Sequence, residues 1–377
     1  MKKIRLLTIS PISEIGGSDI TLLRLLRNLD KNEYEILHLM PYPGPLIDEF
    51  RSAGIRVEII DMPRIRLFKN PLQYIIVLLK FFPTVFKIKK IIEDCKIDLV
   101  CTFSMSSLYG ALAAKLANRP HVLFANEYLA VLRLVSHYFY LLSEKVICCS
   151  SIVSTMFKKS NKIMVIPPGI DLHEFSAQVS NDKVRQDLGV NGNLVSMVTR
   201  LAPWKGVEIF IKAASYVKVN TKFAIFAQPV MGKERYLFKL EKLIQKLGLQ
   251  DRVLIKAGGN KDIAQVMAAS DIIVHASLRP EPFGLVIIEA MAMQKPIIAS
   301  RLGAPLEIIS DGVDGKLIEP GNPKALAAAI STLLENHALA LEMGLYARKK
   351  VTRNFDIQNF VHSLDIIFKT ILKDNYL

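Results

Sequence analysis

The chain has 377 residues, of which 51% are hydrophobic and 22% charged, with a formal net charge of +14. That length exceeds what one hydrophobic core usually serves, so two domains are expected, and the apolar content excludes a disordered chain. The positive charge could point to nucleic acid, but residues 1–180 carry 23 basic and 16 acidic side chains and residues 181–377 carry 26 and 19, so both halves come to +7 and no nucleic-acid partner is expected.

Taken in order, the opening "MKKIRLLTIS" has the basic start of a secretory leader. Arg5 and Pro11 break its apolar run and no small-residue cleavage site follows, so it reads as a first strand, Ile4–Ser10. Further short apolar, β-branched runs lie at Glu35–Met40, Val57–Asp61, Asp98–Phe103, His121–Asn126, Lys145–Ser150 and Lys162–Ile166. A second series follows at Val195–Arg200, Phe223–Ala227, Val253–Lys256, Asp271–Ser277, Pro296–Ser300 and Lys316–Glu319. Helical patterns separate these runs, which predicts the α/β class with parallel sheets covered by helices. The polar stretch Phe175–Asn193 lies between the two series and predicts two doubly wound domains joined near it.

Between Met62 and Ile92 stand seven basic residues, Arg64, Arg66, Lys69, Lys80, Lys87, Lys89 and Lys90, with no acidic one, among large apolar side chains. This composition suits an anionic membrane surface better than a base-reading helix; a helix whose apolar side is core and whose lysines are solvated fits it equally. The apolar region Leu72–Phe86 contains Lys80 and Pro83 and falls short of the roughly 20 residues a spanning helix needs. Cys95, Cys101, Cys148 and Cys149 have neither metal-site spacing nor a disulfide pattern, which fits a cytoplasmic protein.

No G-x-G follows the first strand, neither Gly-Lys pair has P-loop spacing, and no Asp-x-Asp offers a metal–diphosphate ligand pair. A phosphate site would then need fixed cations. "MVTRLAPWKGVEIFIKAA" supplies them: a strand ends at Arg200, a helix begins after Pro203, and Arg200 and Lys205 flank the turn at the carboxyl end of the strand. In "RPEPFGLVIIEAMAMQKPIIAS", the prolines around Glu281 put that glutamate on a loop, and Gly284 opens an apolar helix carrying Glu289. The two carboxylates either form a polyol-and-anion pocket with the helix N-terminus or are a solvated loop residue and a satisfied core pair.

The sequence resembles the retaining family 4, or group 1, glycosyltransferases of GT-B fold. The resemblance is carried by "GGSDITLLRLLRNL", "VIPPGIDLHEF", "TRLAPWKG", "EPFGLVIIEAMA" and "GAPLEIISDGVDGKLIEPGNPKALAAAI", in that order and over nearly the whole chain. It implies two Rossmann-like domains facing across a cleft: residues 1–172 for the acceptor, 173–355 for a nucleotide diphosphate-sugar donor, and a helix over 356–377 crossing back to the N-terminal domain. It also implies that Arg200 and Lys205 hold the donor diphosphate with the amides of Gly284, Leu285 and Val286. Glu289 would take the ribose hydroxyls, Glu281 hydroxyls of the transferred sugar, and Phe283 would line the same donor site. Gly16 and Gly17 would let backbone approach the donor. No metal and no cofactor is implied, and the expected acceptor is a hydroxyl compound, a glycan or, on the strength of the basic segment Met62–Ile92, a lipid-linked precursor at the inner face of the membrane.

The chain departs from the family pattern at two places. Asp19 stands where many relatives have glutamate. The segments "TFSMSS" and "FANEYL" lack the histidine often found there, so Asn126 and Glu127 are the nearest groups and Glu127 is assigned to the acceptor hydroxyl. His121 and His275, inside apolar strands, read as core histidines. The alternatives are a nucleotide-sugar epimerase of the same fold, a hydrolase using the two glutamates, and a non-catalytic donor-binding partner subunit.

Overall fold

The computed structural model describes every residue except 1–2, 11, 14–15, 63–70, 105–107, 129–132, 181, 229–233, 258–261 and 377. Arg64, Arg66 and Lys69 of the basic segment lie outside the described residues. The chain divides into two compact units, Met1–Gly169 with Ile357–Leu377, and Ile170–Asp356.

The first unit holds strands β1 (Ile4–Ile9), β2 (Tyr34–Met40), β3 (Arg56–Ile59), β4 (Leu99–Thr102), β5 (His121–Ala125), β6 (Lys145–Cys148) and β7 (Ile163–Val165). They form one parallel sheet in the order β3-β2-β1-β4-β5-β6-β7, with Leu6 opposite Leu99 at the β1–β4 pair. Central strands such as β4 and β5 are buried along their whole length, as a sheet covered on both faces requires. The helices Gly17–Asn28 and Ile357–Tyr376 pack on one face, where Leu22, Leu26, Leu364 and Phe368 share a core. On the other face, Val85, Ile88 and Ile92 of the helix Pro71–Asp94 meet Tyr109 and Ala113 of the helix Leu108–Leu116.

The second unit repeats the plan with β8 (Asn193–Arg200), β9 (Thr221–Gln228), β10 (Val253–Ala257), β11 (Ile272–His275), β12 (Ile297–Ser300) and β13 (Lys316–Ile318). The order is β10-β9-β8-β11-β12-β13, again parallel, with Val195 opposite Ile272. A strand forms at each of the thirteen predicted positions. In both sheets the strand order reverses beside the first strand, between β1 and β4 and between β8 and β11. Loops there diverge to opposite faces and leave a crevice at the carboxyl ends.

Two local details refine the sequence reading. Pro203 opens a short 3-10 turn, Pro203–Lys205, and the α-helix starts only at Val207, because Gly206 takes a left-handed conformation between them. The helix Pro71–Asp94 runs through Pro83, which is exposed. The carbonyl of Leu79, deprived of its amide partner, can therefore be hydrated. No helix among the described residues is long and apolar enough to cross a membrane.

Candidate active site

In the second unit the reversal between β8 and β11 makes neighbours of two loops far apart in sequence. After β8, Arg200 is exposed and the 3-10 turn carries Lys205. The Leu278 amide donates to the Trp204 carbonyl at 2.7 Å, docking this turn onto the loop that follows β11. Gly206 permits the approach: its φ is +76°, and a Cβ there would lie 1.9 Å from the Ala276 carbonyl oxygen. Glu281 is anchored from the other side, pairing as a parallel bridge with Gly303 and accepting at its carbonyl from the Ala304 amide at 3.0 Å.

These contacts bring the Lys205 Nζ to 2.7 Å from Glu281 Oε2, across 76 residues of chain. The same oxygen accepts from Ser277 Oγ at 2.9 Å and lies 3.2 Å from His275 Nε2. An ionised carboxylate only accepts, so the histidine proton on that side sits on Nε2. All three bonds converge on Oε2, and Oε1 has no partner among the described residues. Lys205 Nζ also lies 4.2 Å from the Trp204 ring centroid, a cation–π contact that holds the stem.

The electrostatics follow from burial. Desolvation alone would raise the Glu281 carboxyl, but the Lys205 charge and the hydrogen bond from His275 outweigh it and hold the group well below the usual carboxylate range. Burial depresses the Lys205 ammonium from its ordinary value, an effect that Glu281 opposes and the Arg200 charge reinforces. Arg200 itself makes no ion pair among the described residues. Lys205 spends one donor on Glu281 and keeps two.

Gly284, at φ +93°, caps the helix Leu285–Ala292 with no side-chain bond. The amides of Leu285 and Val286 are among those that a helix start leaves without intrahelical partners. Its missing Cβ matters too, since one would sit 3.1 Å from Ile287 Cδ1 and 3.5 Å from Glu281 Cγ. Glu289, one turn into the helix, is buried. The Phe283 side chain turns inward and packs edge-on against Phe355, with ring centroids 5.9 Å apart.

In the first unit Gly16 precedes the helix that starts at Gly17, and Asp19 is buried, its Oδ2 3.1 Å from where a Gly16 Cβ would be. Ser18 Oγ donates to the Phe103 carbonyl at 3.4 Å and accepts from Asn126 Nδ2 at 3.0 Å. Ser104 Oγ donates to Glu127 Oε1 at 2.9 Å. These residues follow β1, β4 and β5 and share the carboxyl edge of their sheet.

Comparison with known proteins bears on the family and the fold. Residues 180–350 match the model "Glycosyl transferases group 1" and residues 15–174 the model "Glycosyltransferase Family 4". The chain belongs to the group 1 glycosyltransferases, with the GT-B fold. Anabaena HepE, solved in complex with UDP and glucose, superposes with a TM-score of 0.86 at 26% identity, over 97% of this chain and 99% of that one. An uncharacterized glycosyltransferase of Methanocaldococcus jannaschii is 28% identical over 88% of both chains. The UDP-Gal:alpha-D-GlcNAc-diphosphoundecaprenol alpha-1,3-galactosyltransferase of Escherichia coli is 24% identical over 97% of both.

Within this glycosyltransferase the two histidines read from sequence as core residues part company. His121 is a satisfied core histidine, bonded to Thr102 Oγ1 at 3.0 Å and Ser143 Oγ at 2.9 Å. His275 is just as buried, yet its ring is spent on Glu281, so with Ser277 it belongs to the glutamate's setting. A signal was available: His275 and Ser277 alternate along one face at the end of a strand, four residues before a loop carboxylate.

Proposed function

We propose that this glycosyltransferase moves a sugar from a nucleotide diphosphate donor to a hydroxyl acceptor with retention of anomeric configuration and without a metal ion. The observation that carries the reading is the Lys205–Glu281 pair, which leaves two ammonium protons and one carboxylate oxygen open at the carboxyl ends of β8 and β11. Lys205 and Arg200 neutralise the leaving diphosphate, the task a metal performs elsewhere, and the amides of Leu285 and Val286 at Gly284 add the helix terminus. Glu281 Oε1 accepts from a hydroxyl of the transferred sugar, and Glu289 from the ribose. Phe283 supports the donor loop from beneath through its packing on Phe355. Gly16 and Gly17 offer bare backbone to the donor, and Glu127, oriented by Ser104, positions the acceptor hydroxyl.

In the reaction the bond from the anomeric carbon to the diphosphate oxygen breaks and the acceptor oxygen bonds to the same face. The acceptor proton passes to the departing diphosphate. Each cation on that leaving group stabilises the transition state by roughly 2–4 kcal/mol. The HepE complexes with UDP and UDP-glucose support a UDP-sugar donor, and the name of the Escherichia coli relative supports a lipid-borne acceptor. Melting the protein against a panel of nucleotide sugars tests the donor, because a ligand at about 100 times its dissociation constant adds roughly 2.7 kcal/mol. The anomeric proton coupling of the product tests retention, and undiminished turnover in excess chelator tests the role given to the cations. Release of an altered nucleotide sugar without use of acceptor would favour the epimerase instead.

A further inference from the structure

The helix Pro71–Asp94 has two apolar faces. One is the core face, formed by Val85, Ile88 and Ile92. On the opposite side Ile75, Leu79, Phe82 and Phe86 are 53 to 69% exposed. Their spacing of four, three and four residues places them in one line along the helix, roughly 16 Å from end to end. Solvated apolar side chains scattered singly need no explanation, but a straight stripe of four, two of them phenylalanine, does.

The charges beside the stripe identify its occupant. Lys87 and Lys90 are exposed. Lys80 and Lys89 are also on the helix but are paired with Asp61 and Glu93. From Pro71 to Ile92 there is no acidic residue, and Glu93 and Asp94 are confined to the last turn. A second copy of the chain laid on this face about a two-fold axis would meet the same surface, which from Pro71 to Ile92 offers the lysines no carboxylate. A straight, shallow row of large apolar groups with lysines beside it matches a planar anionic interface, into which the rings insert while the ammonium groups remain among the headgroups. The helix also starts at the carboxyl edge of its sheet, because it follows β3, and that edge carries Gly16, Ser104 and Glu127.

We propose that the outward face of this helix is a docking surface for an anionic lipid bilayer. This goes beyond the glycosyl-transfer reading, and its test uses neither donor nor acceptor. The full chain is sedimented with vesicles of phosphatidylcholine containing phosphatidylglycerol, and with phosphatidylcholine alone, at low and high salt. Binding is expected with the anionic vesicles and should weaken as salt shortens the screening length. Lys87→Glu/Lys90→Glu should lower the partition constant at least about 25-fold, since each cation at such a surface is worth about a factor of 5. Phe82→Ser/Phe86→Ser should abolish binding with only a small change in urea midpoint, as both rings are more than half exposed. Equal recovery in the supernatant with and without anionic vesicles overturns the proposal, and so does binding that both variants retain. A dimer in sedimentation equilibrium that Phe82→Ser/Phe86→Ser dissolves, without vesicle binding, overturns it in favour of a second copy.

Discussion

Replacing Lys205 with methionine removes one charge and keeps most of the stem's volume. In the folded chain that ammonium lies 2.7 Å from Glu281 Oε2, with side-chain exposures of 13% and 9%. Removing one partner of a buried pair costs about 3–5 kcal/mol, because the other charge is left desolvated. Ser277 and His275 still donate to the same oxygen, which sets the expectation near the low end, about 3 kcal/mol. Each kcal/mol moves the melting point of a unit this size by about 2–4 °C, so a drop of roughly 6–12 °C is expected at neutral pH. The loss has a pH signature. Burial pushes the Glu281 carboxyl up and Lys205 with His275 more than reverses this, so its folded pKa lies below the ordinary 4.5. The stability it contributes is present above that value and is lost as the pH falls through the folded pKa. The variant lacks most of the depression, so the gap between the two proteins should narrow below about pH 4.5. Turnover at saturating donor should fall about 30- to 1000-fold, from a missing 2–4 kcal/mol on the leaving group. Circular-dichroism melts and donor turnover measure both effects. The double variant Lys205→Met/Glu281→Gln should regain most of the stability and none of the activity, because neither charge is then left alone. Near-wild-type turnover in Lys205→Met, or a double variant whose stability loss equals the sum of the singles, would refute the reasoning.

Glu289→Gln should mainly raise the donor KM, since a ribose contact is alike in ground and transition states, whereas Glu281→Gln should mainly lower kcat; steady-state kinetics with varied donor separates the two. Gly206→Ala should cost at least about 2 kcal/mol of stability and shift Lys205, because the position is left-handed and the new Cβ meets the Ala276 carbonyl; unchanged urea midpoint and turnover would contradict it. His38 and His121 are buried neutral in the first unit, and burial lowers the pKa of each to about 3. Their stabilisation is complete above the ordinary 6.5 and is lost as the pH falls toward 3, by about 1.4 kcal/mol per pH unit for each. Urea titrations at pH 7.5 and 5 should show that loss, and His121→Gln should make the dependence shallower.

What the sequence determined by itself were the features whose physics is local. Runs such as Leu99–Thr102 and Ile297–Ala299 are β-branched or apolar throughout, which demands strands covered on both faces. The prolines beside Glu281 and the glycine at 284 specify a loop followed by a helix, and both formed. Arg200 and Lys205 were legible because a strand ends and a turn begins between them. The tertiary structure decided what depends on which strands lie side by side. No local pattern states that β8 neighbours β11, yet that adjacency alone brings Lys205 within 2.7 Å of a carboxylate 76 residues away. It also turned His275 from an inert core residue into a partner of Glu281, while His121, equally apolar in its surroundings, met only Thr102 and Ser143. The basic segment divides the same way. Its cations can be counted in the sequence, but a helix that is apolar on opposite sides has no evident inside. Only packing on β1, β2 and β4 showed that Val85, Ile88 and Ile92 face the core and that Leu79, Phe82 and Phe86 face outward.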